Sequence, residues 1–164
     1  MTSLLVELYD RHVLEKNVYQ AYISNSDELL FLSLDKIDDD EKFSLRQFIL
    51  DQVAHVKRVT FRQVSLEQLE AQLDFSLPNY DQVLLDVFGG DSLLVISLYQ
   101  YGLSRNLPIV AMDIEKGKQY KWQAGRVLKE DLDIPTLTIQ ELIALRGGKL
   151  LKSKRPIFSQ QQVV

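Results

Sequence analysis

Two short stretches of this 164-residue chain could meet a ligand through residue type and spacing. One is Asp10-Arg11-His12, directly after the apolar run Leu4 to Tyr9. The other is Gly89-Gly90-Asp91-Ser92, directly after Gln82 to Phe88 and before a strongly apolar segment. Paired glycines between a strand and a helix amino terminus let the backbone turn sharply and let a ligand approach main-chain N–H groups. The helix end adds unpaired N–H donors and partial positive charge, which suit phosphate. Arg11 and His12 could add charged or hydrogen-bonding donors. Asp10 could orient either of them, or cap a helix around Leu14. The same glycines also serve a plain strand-to-helix turn, with Asp91 or Ser92 as its cap. The pattern is neither the dinucleotide fingerprint nor a P-loop.

Other chemistry has less to stand on. His12 and His55 do not form a metal-ligand spacing, and His55 is expected on a solvated helix face. Asp86, Asp113 and Glu115 lie near strand ends, where a magnesium-carboxylate site for phosphoryl transfer would sit. Acidic residues at such exits are common. No serine nucleophile elbow is present. With no cysteine, the chain has no disulfide, thiol nucleophile or cysteine-ligated metal. Glu7 interrupts an apolar strand and must find a partner or lie near an edge.

The residues are held by one domain of ordinary globular composition, 46% hydrophobic and 26% charged. A net charge of −4 does not favour non-specific nucleic-acid binding over the whole surface. Glu7 and Asp10 break the apolar run near the start, so no secretory signal is expected. No apolar stretch reaches the length of a membrane span. The expected location is the cytoplasm, with no membrane partner.

Hydrophobic periodicity orders the elements. Strands are expected at Leu4–Tyr9, Leu29–Leu34, Arg58–Val64, Gln82–Phe88, Ile109–Ile114 and Lys118–Gln123. Leu14, Val18, Ala21 and Tyr22 mark a helix face. Leu45, Phe48, Ile49, Val53 and Val56 mark another, with Asp38 to Glu41 at its positive end. Ser65 with Gln68 reads as a capping box, with Val64 stapling against Leu69. A fourth helix spans about Ser92 to Arg105. A last one starts at Thr138, with Glu141 completing its capping box, Leu137 stapling against Leu142, and Gly147 ending it.

Alternating strands and helices with short connections imply an α/β, doubly wound, Rossmann-like, mostly parallel sheet. Its expected order is 3-2-1-4-5, with strand six antiparallel at the edge, paired through a turn at Lys116-Gly117. Ligands bind such sheets where the winding reverses, at the carboxyl ends of the strands. That reversal falls between strands one and four, so both polar stretches meet at one place. The helix from Ser92 to Arg105 has little polar face. One side must meet the sheet, and the other meets a second subunit or the C-terminal segment.

Strand one with Asp10-Arg11-His12, strand four with Gly89-Gly90-Asp91, and the LIALRGG stretch from Leu142 to Gly148 resemble a CARF domain (CRISPR-associated Rossmann fold). The resemblance is to the sensor half of CARF-nuclease effectors and covers about residues 4 to 150. It implies a homodimer that binds cyclic oligoadenylate across its two-fold axis in type III CRISPR antiviral defence. Asp10, Arg11 and His12 would line one side, and Gly89, Gly90, Asp91 and Ser92 the other. The related pattern usually has threonine before and after the Gly-Gly pair, then often lysine; here those positions hold Phe88, Asp91 and Ser92.

The resemblance implies neither cofactor nor metal. It places the sensor domain at residues 1–148, and a basic then polar tail or linker at residues 149–164, where an effector would continue. A non-catalytic sensor is the leading expectation. One alternative is a ring nuclease opening the cyclic ligand, through His12 or Ser92 without metal or through the carboxylates with magnesium. The other is a dimerising scaffold whose site has decayed.

Overall fold

A computed structural model describes residues 2–133 and 137–145. The strands are β1 (Ser3–Leu8), β2 (Glu28–Ser33), β3 (Arg58–Gln63), β4 (Gln82–Asp86), β5 (Ile109–Asp113), β6 (Lys118–Gln123) and β7 (Arg126–Asp131). The helices are α1 (Leu14–Ser24), α2 (Asp39–Gln52), α3 (Leu69–Ser76), α4 (Ser92–Ser104) and α5 (Ile139–Leu145). The strands form one sheet in the order β3-β2-β1-β4-β5-β6-β7. Pairing from β3 to β5 is parallel, and β5-β6-β7 is antiparallel. The order expected for the first five strands and the antiparallel sixth are present.

A seventh strand, absent from the sequence reading, extends the antiparallel end. It pairs with β6 through a two-residue turn at Ala124 and Gly125, both at positive φ. Every residue of β7 is exposed, so it carries no buried alternation to reveal it. Alanine is also uncommon at the first position of such a turn.

Strand alternation divides the core in two. Leu4, Val6, Leu8 and Leu85 pack beneath α3 and α4. Leu5, Leu29 and Phe31 pack beneath α1, α2 and α5. Asp38 caps α2, accepting a hydrogen bond from the Asp40 N–H at 3.2 Å. At α5 the capping box forms in both directions: the Glu141 N–H donates to Thr138 Oγ1 (3.1 Å) and the Thr138 N–H to Glu141 Oε1 (2.8 Å). The stop expected at Gly147, the end of the LIALRGG stretch and the tail at 149–164 lie outside the described residues. Ser65 Oγ accepts from the Gln68 N–H, closing the turn that leads into α3.

In α4, Leu94, Leu98, Tyr101 and Gly102 face the core. Leu93, Ile96 and Leu103 remain more than half exposed along one stripe. α5 contributes Leu145 to the opposite core cluster, so it does not cover that stripe. Among the described residues, no helix is long and apolar enough to cross a membrane.

Candidate functional site

The carboxyl ends of β1, β2 and β4 open onto one crevice of about 550 Å³. Asp10, Arg11, His12, Gly90 and Asp91 line it; Gly89 and Ser92 do not. The loop after β2 and the start of α2 form the far wall, with Asp35, Lys36, Asp38 and Glu41.

Asp10 joins the two loops. Its Oδ2 accepts the Gly90 N–H at 3.1 Å and its Oδ1 accepts the His12 N–H at 3.0 Å. A carboxylate of the chain thus sits where the glycine loop presents its donor. Asp10 does not cap α1, which has no side-chain cap. Asp91 is the α4 cap: its Oδ1 accepts from Leu93 N–H (2.8 Å) and Leu94 N–H (3.4 Å). Both glycines have positive φ, 84° at Gly89 and 78° at Gly90, a region that L side chains avoid. A Cβ at Gly90 would also lie 2.8 Å from Leu8 Cβ. These glycines are required by the turn itself.

Arg11 is exposed, and its guanidinium pairs with Glu41 at 3.3 Å. The other Glu41 oxygen accepts from the Tyr9 hydroxyl at 2.6 Å. Burial and this bond to Glu41 push the Tyr9 phenol well above its usual range. Glu41 thereby ties the β1 loop to the first turn of α2. With five carboxylates against Arg11 and Lys36, the crevice of a single chain is predominantly acidic.

Beneath the loops lies a polar cluster that the sequence reading did not assemble. Lys16 is 1% exposed, and its Nζ donates to the carbonyls of Leu8 (3.0 Å) and Phe88. Asn17 Nδ2 donates to Glu7 Oε1 at 3.0 Å and to the Leu8 carbonyl at 3.1 Å. Glu7 has therefore found its partner in the interior. It was also the available signal, because a lone acid in a central strand calls for donors from the next helix.

The remaining candidates do not converge. Asp86 is buried and accepts the Phe88 N–H at 3.0 Å, whereas Asp113 accepts the Lys116 N–H in the β5–β6 turn at 3.2 Å. Among the described residues, no group of three or more His, Asp or Glu side chains is arranged to hold a metal ion. His55 corrects the expectation of a solvated helical histidine. It lies in the turn after α2, partly buried, with Nε2 at 2.9 Å from the Ala21 carbonyl.

No protein-family model matches the chain, and no curated protein matches it in sequence. Solved structures do match. Protein VC1899 from Vibrio cholerae superposes with a TM-score of 0.71 at 10% identity, over 87% of this chain and 39% of its own. Can2 from Sulfobacillus thermosulfidooxidans, in complex with cyclic tetra-adenylate, gives 0.68 at 18% identity over the same shares. Csm6 from Enterococcus italicus, bound to cyclic hexa-2′-fluoro-hexa-dAMP, gives 0.55 at 6% identity, over 68% of this chain and 34% of its own. The chain thus spans less than two-fifths of the length of each of these structures. This chain shares its Rossmann-like fold with these structures.

Proposed function

We propose that this chain is a homodimeric sensor domain that takes a cyclic oligoadenylate in the β1–β4 crevice. The observation that carries the reading is the crevice itself. It lies at the switch point of the sheet, on a fold shared with two proteins whose structures hold cyclic oligonucleotides. Asp10, Arg11, His12, Gly89, Gly90, Asp91 and Ser92 belong to the two loops that build it. A two-fold ring would take a second copy of the crevice. The bare stripe of Leu93, Ile96 and Leu103 on α4, which starts at the crevice, supplies a face for that copy.

In this reading the ligand shifts the two subunits and the shift switches an effector. Residues 1–148 act as the sensor and 149–164 lead toward the effector, in the cytoplasm, within type III CRISPR antiviral defence. The carboxylates of the crevice suit adenine amines and ribose hydroxyls better than phosphates, so Arg11 carries the phosphate side.

A second reading is favoured by the Asp10 and Asp91 bonds. If the Gly90 N–H and the first α4 amides serve the fold alone, the chain is a dimerising scaffold with no ligand.

Thermal shift and titration calorimetry with cyclic tetra- and hexa-adenylate test the proposal, with sedimentation alongside. Stabilisation by either ring, in a species of twice 18.9 kDa, is the expected result. A dimer that binds neither ring supports the scaffold. A monomer removes the basis for a two-fold site. A linear product in the mixture makes the chain a ring nuclease.

A further inference from the structure

We propose that Glu7 and Asp86 share one proton beneath the crevice, and that their single net negative charge offsets the buried Lys16, whose side chain positions both crevice loops. The two acids sit on adjacent parallel strands. The β1–β4 register pairs Leu5 with Leu84 and Val6 with Leu85, and Glu7 and Asp86 are the next residues along the two strands. Both are at most 1% exposed. Glu7 Oε1 is taken by Asn17, and Asp86 Oδ1 by the Phe88 N–H. Glu7 Oε2 and Asp86 Oδ2 are buried with no donor from another described residue. Two ionised carboxylates only accept, so a proton on one of them supplies the donor that these buried oxygens lack.

The charges around the pair agree. Asp86 and Lys16 are the charged groups acting on Glu7, and Lys16 with Glu7 act on Asp86. The outer neighbours in register are apolar, Phe31 beside Glu7 and Val110 beside Asp86. Burial, and then the Asp86 charge, push the Glu7 carboxyl well above its usual range, and burial raises the Asp86 carboxyl too. One shared proton leaves one negative charge against one ammonium in a space that water does not reach. A neutral total is what burial demands.

Lys16 makes the cluster matter to the site. Its Nζ holds the Leu8 and Phe88 carbonyls, where the two crevice loops leave the sheet. A Cβ on Gly89 would lie 2.6 Å from Lys16 Cε, so the glycine loop rests directly on this side chain. The ammonium thus sets the spacing of the loops, and through them the Asp10 bond to Gly90. Lys16 is a positioning residue, and its role does not depend on which ligand the crevice takes.

Glutamine at position 7 copies the protonated acid, its amide oxygen accepting from Asn17 and its NH₂ donating to Asp86. The test therefore uses the full chain as wild type, Glu7→Gln, Glu7→Gln with Asp86→Asn, and that pair combined with Lys16→Met. Carboxyl carbon NMR of the wild type should show one of the two acids still protonated at pH 7. Glu7→Gln should melt no more than about 3 °C below wild type. Glu7→Gln with Asp86→Asn strands the ammonium and should melt at least about 10 °C lower. Adding Lys16→Met should recover part of that loss, yet the Gly90 amide should exchange at least about tenfold faster than in wild type because the loops lose their tie. The proposal is overturned if both acids of the wild type titrate in the ordinary carboxylate range. It also fails if Glu7→Gln melts as low as the double variant, or if Gly90 exchange in the triple variant matches wild type.

Discussion

Neighbouring residues of β1 face two different interiors. Leu8 points toward α3 and α4 among apolar side chains, whereas Glu7 points toward α1 and meets Asn17. Both are fully buried, and both lie just below the crevice. The apolar side is held by burial and tolerates any residue of fitting volume. The polar side is held by directed bonds, Lys16 to the Leu8 and Phe88 carbonyls and Asn17 to Glu7, which permit one arrangement of the strand ends. The core therefore supplies stability, and the cluster supplies the spacing on which a ligand site depends.

The largest effect should come from the apolar side. Leu8→Ala should cost about 2–5 kcal/mol, read from urea unfolding, because it empties a fully buried site. A loss below about 1 kcal/mol would mean that the core under the loops is loosely packed. Gly90→Ala comes next. It needs a residue at φ 78° and a Cβ 2.8 Å from Leu8, so it should cost about 1–3 kcal/mol. It should also abolish ligand binding, whereas Leu8→Ala should weaken binding only as far as it unfolds the chain.

Asp91 sharpens the contrast at the loop. Asp91→Ala should lose the α4 cap and cost about 1 kcal/mol, whereas Asp91→Thr should keep the fold. Removing the carboxylate should also tighten cyclic oligoadenylate binding, less so at high salt, as titration calorimetry at two salt concentrations would show. Weaker binding by Asp91→Thr would make the carboxylate a ligand contact.

Glu7 has a smaller, pH-dependent effect. Burial raises its folded carboxyl above the unfolded value, so its contribution is complete below the unfolded value and is lost as pH rises toward the folded one. In melts from pH 4 to pH 8, Glu7→Gln should gain on wild type as pH rises. A constant difference would contradict the raised carboxyl. The smallest effect on stability belongs to Arg11→Ala. Its exposed pair with Glu41 contributes about 0–1 kcal/mol, so melting should barely move. Ligand affinity should fall about tenfold or more, as loss of a charge-assisted contact predicts. Equal affinity would remove Arg11 from the site.

Much of this was legible before any coordinates. The runs at Leu4, Leu29, Arg58, Gln82 and Ile109 place five strands because a buried parallel strand writes itself as an apolar run. The caps at Thr138 and Asp91 follow from side chains within three residues of the amides they satisfy. The switch point follows from strand order, and strand order from the rules of connection. β7 stayed hidden because an exposed edge strand has no buried face to imprint on its sequence.

The site's partners are of another kind. Asp10 bonds Gly90, 80 residues away, and Lys16 reaches Phe88, 72 residues away. Arg11 is drawn to Glu41 by the packing of α2 beside β1. Periodicity and capping record interactions within a few residues, so the sequence alone determined the elements, their order and the two loops that meet. Which oxygen takes the Gly90 N–H, and which carbonyls take the buried Lys16, depends on side-chain distances of a few ångströms. Only the closed sheet with α1 packed against it sets those distances, because hydrogen bonds and charges in a dry interior are decided by contact and not by pattern.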